Sequence, residues 1–117
     1  MTIPLTKEML AAAYEFVRAT PPFNKWNLPE PEDITFKITK SAKNYGHYSD
    51  AKRRHTIAIS EKLNGYASSI IEVMAHEMLH VHEKRAGMWG RSEHSEAFKK
   101  LAAQVCKIHG FDPKRFS

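Results

Sequence analysis

The chain has 117 residues, 42% hydrophobic and 26% charged, values that suit one globular domain with a single core. Its one cysteine, Cys106, excludes an intrachain disulfide and a zinc ribbon built from cysteines. The formal net charge of +5 permits contact with nucleic acid but does not indicate it.

The first predicted element is an amphipathic helix over residues 6–19. Thr6 is a suitable N-cap, and Pro21-Pro22 ends the pattern. The apolar positions recur at the helical spacing and predict the buried face, formed by Leu10, Ala13, Tyr14 and Val17.

Three strands are predicted next. Residues 34–40 alternate apolar and polar side chains, which is typical of a strand with one buried face. Residues 44–49 are a weaker candidate, and residues 55–60 place Ile57 and Ile59 on one face. The last two runs flank a polar segment, and they therefore predict a hairpin with a charged tip.

Two further helices complete the predicted α+β fold. Ser69 and Glu72 form a capping box, so a helix is predicted from Ser69 to about Arg85, with Gly87 as its stop. Residues 92–109 predict the last helix, with Gly110 as its stop. Its predicted apolar face consists of Phe98, Leu101, Ala102, Val105 and Ile108.

The strongest chemical signal is the motif His76-Glu77-Met78-Leu79-His80. On a helix, residues four apart lie on one face, so the two imidazoles can bind one metal ion. Glu77 is rotated away from His76 by about 100° and can instead accept a proton from a metal-activated water. These residue types at this spacing are typical of a metal-dependent hydrolase.

A catalytic zinc needs a third protein ligand, which the sequence leaves open among three residues. The spacing H-E-x-x-H-x-x-G-x-x-H is excluded, because Glu83 and Ala86 stand where glycine and histidine are required. The open candidates are Glu93, His94 and Glu96. His94 is preferred, because an antiparallel return of the last helix brings its first turn towards the metal. Either glutamate could instead ligate, or accept a hydrogen bond from a ligand histidine.

Residues 45–98 resemble the SprT-like (Spartan-like) zinc metallopeptidases of the zincin group. The resemblance rests on the strand ending Ile57-Ala58-Ile59-Ser60, on the histidine motif, and on His94-Ser95-Glu96-Ala97-Phe98 fourteen residues later. Ser95 stands where this family usually has glycine. The resemblance implies a minimal zincin-like domain over residues 1–117, with an N-terminal helix, a small three-stranded antiparallel or mixed sheet, an active-site helix and a C-terminal helix. It also implies Zn²⁺ bound by His76, His80 and His94.

The implied activity is zinc-dependent endoproteolysis, with Glu77 as general base. We expect an extended substrate to pair with the edge of the strand over residues 55–60. The candidates for a second oxyanion donor are Tyr45, His47, Tyr48, Tyr66 and Arg91. The alternative function is a non-catalytic, zinc-stabilised module that binds DNA or protein; the general base Glu77 argues against it, because a structural site has no need of one.

DNA is the predicted partner besides the protein substrate, because SprT-like proteases cut proteins crosslinked to DNA. Lys52, Arg53 and Arg54 at the hairpin tip would contact phosphates, with Trp26 or Tyr48 stacking on bases. A solubilising turn is the alternative reading. The chain has no membrane-spanning run and no secretory signal pattern, so we expect a cytoplasmic monomer.

Overall fold

The computed structural model describes residues 5–50, 54–62, 67–87 and 96–116, with side chains omitted at positions 67, 68 and 115. Short 3₁₀ turns at Phe23–Lys25 and Pro31–Asp33 connect the first helix to the sheet. The helices and strands are, in chain order, α1 (Lys7–Arg18), β1 (Ile34–Thr39), β2 (Gly46–Ser49), β3 (His55–Ser60), α2 (Ala67–Arg85), α3 (Glu96–His109) and α4 (Pro113–Phe116).

Helix α1 begins where the sequence predicts. The Thr6 hydroxyl accepts a hydrogen bond from the Met9 N–H at 3.1 Å, so it caps the first turn. All four predicted apolar residues of this helix are buried. The Tyr14 hydroxyl donates to the Pro29 carbonyl at 2.6 Å, which fastens the proline-rich connection across α1.

The sheet is mixed, and its strand order is β1-β3-β2. Strand β3 pairs parallel with β1 and antiparallel with β2, which confirms the predicted hairpin; its tip at residues 51–53 lies outside the described part. Ile57 and Ile59 are fully buried, consistent with the central position of β3. The prediction that a substrate pairs with an edge of β3 is wrong, because β1 and β2 occupy both edges.

Helix α2 begins two residues before the predicted start. Ser69 is therefore its third residue, and the predicted capping box is wrong, because an N-cap residue needs non-helical backbone. The predicted end is confirmed: Gly87 has a φ of 71°, a left-handed conformation that glycine adopts without strain. No described helix combines the length and apolar character that crossing a membrane requires.

The last part of the chain differs from the sequence prediction in two respects. On α3, the predicted apolar-face residue Ile108 is 46% exposed, because the buried face follows the line from Phe98 through Ala102 to Cys106. Helix α4 was not predicted, since four residues are too few for a periodic pattern. The Asp112 carboxylate caps it by accepting a hydrogen bond from the Lys114 N–H at 2.9 Å.

Helix α2 lies at the centre of the molecule, in contact with α1, α3, α4, β2 and β3. Its apolar residues are buried on more than one face, as expected for a helix with neighbours on several sides. The fully or nearly buried ones are Ile70, Met74, Ala75, Met78, Leu79 and Val81. This packing holds the histidine motif in the interior, away from the frayed ends of the helix. The α+β prediction is confirmed, with the mixed form of the sheet.

Candidate metal centre

His76, Glu77 and His80 form a compact donor cluster on α2. One donor atom from each residue lies within 4.8 Å of the other two. Glu77 is 5% and His80 3% exposed, while His76 is half-buried. The two imidazole centroids are 5.0 Å apart with ring planes at 77°. Adjacent turns of a single buried helix produce this arrangement, and two imidazoles with a nearby carboxylate suit zinc.

Glu83 orients the imidazole of His80. Its carboxylate Oε1 lies 3.2 Å from His80 Nδ1, and both side chains are almost fully buried. The carboxylate can only accept, so Nδ1 carries the proton and donates it. Nε2 then carries the lone pair, so it is the nitrogen of His80 that could hold a metal ion.

The backbone of α4 plays the corresponding part for His76. His76 Nδ1 hydrogen-bonds to the Phe116 carbonyl, which is an acceptor only, so Nδ1–H again donates. The Phe116 ring is 2% exposed and lies 5.4 Å from the His76 ring. Both histidines therefore have Nδ1 engaged and can present Nε2 to one ion.

Phe98 forms an apolar wall against both histidines. Its ring stacks on His80 with a centroid separation of 4.6 Å and contacts His76 edge-on at 5.1 Å. A fully buried aromatic at this place keeps water from one side of the cluster, which strengthens electrostatic interactions inside it. The aromatic residue of the predicted His94-x-x-x-Phe98 pattern therefore reaches the site.

Strand β2 covers another side of the cluster. Tyr48 packs its ring 6.3 Å from that of His80, and its hydroxyl lies 2.6 Å from His55 Nδ1. Burial raises the pKa of Tyr48, which keeps the hydroxyl protonated and able to donate. Tyr48 is one of the five candidate oxyanion donors. It faces α2, but its hydroxyl hydrogen-bonds to His55. Tyr45 and His47 are exposed, and Tyr66 and Arg91 lie outside the described residues.

The third ligand stays a prediction, because Glu93 and His94 lie outside the described residues. Glu96 is described and does not join the cluster: its carboxylate is 86% exposed and lies 3.7 Å from Lys99 Nζ. His82 is also directed elsewhere. Its ring stacks on Trp26 with a centroid separation of 4.0 Å, on the flank of α2.

Only some of the residues predicted to contact DNA lie in the described part of the chain. Lys52 and Arg53 lie outside the described residues, whereas the guanidinium of Arg54 donates to the Thr35 hydroxyl and to the Glu32 carbonyl. Tyr48 is 6% exposed, so the prediction that it stacks on bases is wrong; its ring is needed inside the site. Affinity for DNA stays a prediction.

Two orienting groups were missed by sequence reasoning. Glu83 could have been found, because residues three apart on a helix are neighbours and a carboxylate after a ligand histidine is a natural acceptor. Phe116 could not, because it acts through a carbonyl that every residue has, forty positions from His76 in sequence.

The comparison with known families gives one match. A model of the SprT-like family matches residues 11–116. The matched range includes every helix and strand of the described structure except the first few residues of α1. No curated protein matches the chain.

We predict that Glu83→Gln weakens zinc binding about 10- to 100-fold, because the neutral amide is a poorer acceptor for His80 Nδ1–H. Competition with a chromophoric chelator measures the affinity. Glu96→Gln is the matched control and should leave the affinity unchanged, since Glu96 is exposed. If Glu83→Gln and the native protein bind zinc with equal affinity, Glu83 does not orient His80.

The second prediction concerns the pH dependence of stability. Burial, followed by Arg85, lowers the pKa of His55, while Asp50 opposes the change. The folded protein therefore favours the neutral ring, whereas the unfolded chain protonates near pH ~6.5. This stabilisation is fully present above the unfolded pKa and is lost as the pH falls through the lower folded pKa.

His55→Asn keeps an acceptor near the Tyr48 hydroxyl but cannot titrate. Between about pH 7.5 and 5.5, the metal-free native protein should therefore lose more free energy of unfolding than the variant. Urea unfolding at the two pH values measures both losses. A variant that loses as much as the native protein would contradict the assignment to His55.

Proposed function

Since the chain belongs to the SprT-like family, we propose that it is a zinc-dependent metalloendopeptidase that acts on protein substrates. The observation that carries the proposal is the group of His76, Glu77 and His80, whose donor atoms lie within 4.8 Å of one another and of which Glu77 and His80 are buried. Two imidazoles oriented through Nδ1 and a carboxylate beside them are two of the three protein ligands and the general base that a hydrolytic zinc site requires.

His76 and His80 hold the metal through Nε2, and His94 is the proposed third ligand. The position of Phe98 supports His94, because Phe98 stacks on His80 at 4.6 Å and lies only four residues further along the chain. Four residues span at most about 14 Å even when extended, so the spacing to Phe98 is compatible with a ligand at position 94. Three protein ligands would leave a fourth position for the reacting groups.

Zinc, when bound, would supply the Lewis acid that activates water and polarises the scissile carbonyl. Glu77 accepts the proton of the attacking water on its carboxylate and returns it to the nitrogen of the leaving amine. Glu83 and the Phe116 carbonyl keep the two imidazoles in the required tautomer throughout. Phe98 excludes water from the side on which the histidines pack.

An extended substrate would lie along β2. This strand is the outer strand of the described sheet on the side of α2, and its Gly46 lies next to the Glu77 carboxylate. A peptide added to this side of the sheet would bring its scissile bond towards the base.

We predict that Glu77→Gln retains zinc but reduces proteolysis at least about 100-fold, because the amide cannot accept the proton of water. Zinc content by metal analysis and cleavage of an unfolded protein substrate are the two measurements. His76→Ala should lose both. A Glu77→Gln protein that cleaves at the native rate would rule out the proposed mechanism. A native protein that binds zinc and cleaves nothing would instead indicate the non-catalytic binding module.

The proposed link to DNA has a separate test. Added DNA should increase cleavage of a basic protein substrate, and Lys52→Gln with Arg53→Gln should reduce that increase, because fewer phosphates are neutralised. Basal cleavage without DNA serves as the control and should be unaffected. An activity that responds to no form of DNA would indicate a DNA-independent peptidase.

A further inference from the structure

Strand β2 and helix α2 are packed in register along the metal centre. Gly46 lies against Val73 and Glu77, Tyr48 lies against His80, and Asp50, the residue directly after β2, pairs with Lys84 at 3.3 Å. Alternate residues of a strand are about 6.7 Å apart, and four residues of a helix advance about 6 Å. The two steps nearly match, so each inward position of β2 meets the next turn of α2.

Gly46 occupies an inward position at which the two elements approach closely. A Cβ atom built on Gly46 would lie 2.6 Å from Val73 Cγ1, 2.9 Å from Glu77 Oε2 and 3.3 Å from the Ala58 carbonyl oxygen. Contacts below 3.0 Å are essentially never made by real Cβ atoms. Any side chain at position 46 must therefore displace a neighbour.

The requirement for glycine here is one of space and not of backbone conformation. Gly46 lies in a regular strand, and it is not among the residues with positive φ. The backbone would accept alanine without strain, in contrast to Gly110, which has a φ of 77° and open space around its missing Cβ. Glycine is therefore required at position 46 for space and at position 110 for backbone conformation.

The neighbours of Gly46 differ in how easily they can move. The Ala58 carbonyl belongs to the central strand, and the β2–β3 pairing continues at the 2.9 Å hydrogen bond from the Ser60 N–H to the Tyr45 carbonyl. Val73 is β-branched on a packed helix, so its rotamer is restricted. The Glu77 carboxylate is the end of an unbranched side chain, and it therefore moves first.

We propose that Gly46 is a positioning residue for Glu77: its missing side chain lets the β2 backbone lie against the carboxylate and fix it beside the metal ligands. This inference rests on the proposed role of Glu77 as general base. A displacement of about 1 Å in a catalytic group can reduce the rate about 100-fold. Gly46→Ala should therefore affect turnover more than substrate or zinc binding.

The kinetic test compares Gly46→Ala with Gly46→Ala/Val73→Ala. The single variant should lower kcat about 10- to 100-fold, with KM and zinc affinity changed by no more than about threefold. The double variant removes the 2.6 Å contact but keeps the 2.9 Å contact with Glu77. Its melting temperature should recover towards that of Val73→Ala, while kcat stays low. Recovery of kcat together with stability would overturn the positioning role.

Gly110→Ala is the matched control for a glycine replacement. It should lower the melting temperature, because alanine is strained at its positive φ, and leave kcat unchanged. A fall in kcat equal to that of Gly46→Ala would show that loss of stability alone explains the effect, and would overturn the proposal.

A crystal structure of the zinc-loaded Gly46→Ala/Val73→Ala protein tests the inference without any activity measurement. We expect the Glu77 carboxylate to be displaced by about 1 Å or more relative to the native zinc-loaded protein. An unmoved carboxylate would overturn the inference. If the native protein cleaves no protein substrate, the proposed function fails, and the carboxylate position still decides whether Gly46 sets it.

Discussion

The burial of helix α2 is the constraint on which the rest of the structure depends. The polar side chains of the candidate metal centre stand in the middle of a helix whose apolar residues form part of the core. Glu77, His80 and Glu83 are among the few buried polar residues of the described chain. Burying such groups is unfavourable unless each is hydrogen-bonded or bound to metal. His80 and Glu83 are partners of each other on α2, and α4 supplies the partner of the half-buried His76.

In each imidazole, Nδ1 makes a hydrogen bond, and Nε2 is the nitrogen that could bind metal. Nδ1 of His80 is engaged by a carboxylate on the same helix, and Nδ1 of His76 by a carbonyl from α4. The first partner comes from the local period of the helix, whereas the second requires the chain to return after α3. The site is therefore assembled partly by secondary structure and partly by tertiary packing. Binding of metal by Nε2 should consequently stabilise the packing of α4 as well as α2.

Local patterns in the sequence predicted most of the fold and part of the site. The period of α1, the alternation of β1 and β3, and the left-handed Gly87 are local features, and each prediction made from them is confirmed. The predicted capping box is wrong because α2 begins two residues before Ser69, so Ser69 and Glu72 match the pattern from within the helix. The predicted pairing of a substrate with the edge of β3 is wrong because strand pairing is non-local: nothing within residues 55–60 indicates that β1 would occupy the second edge.

The same distinction applies to the residues around Glu77. The motif predicts the base itself, since its spacing follows from the helix alone. The space into which the base fits is set by Gly46, which comes from a different element and carries no chemical group to recognise. A glycine in a short strand reads as a weak β-former. Its significance appears only when the missing Cβ is measured against Val73 and Glu77. The position of the proposed base therefore depends on the Cβ atom that Gly46 lacks.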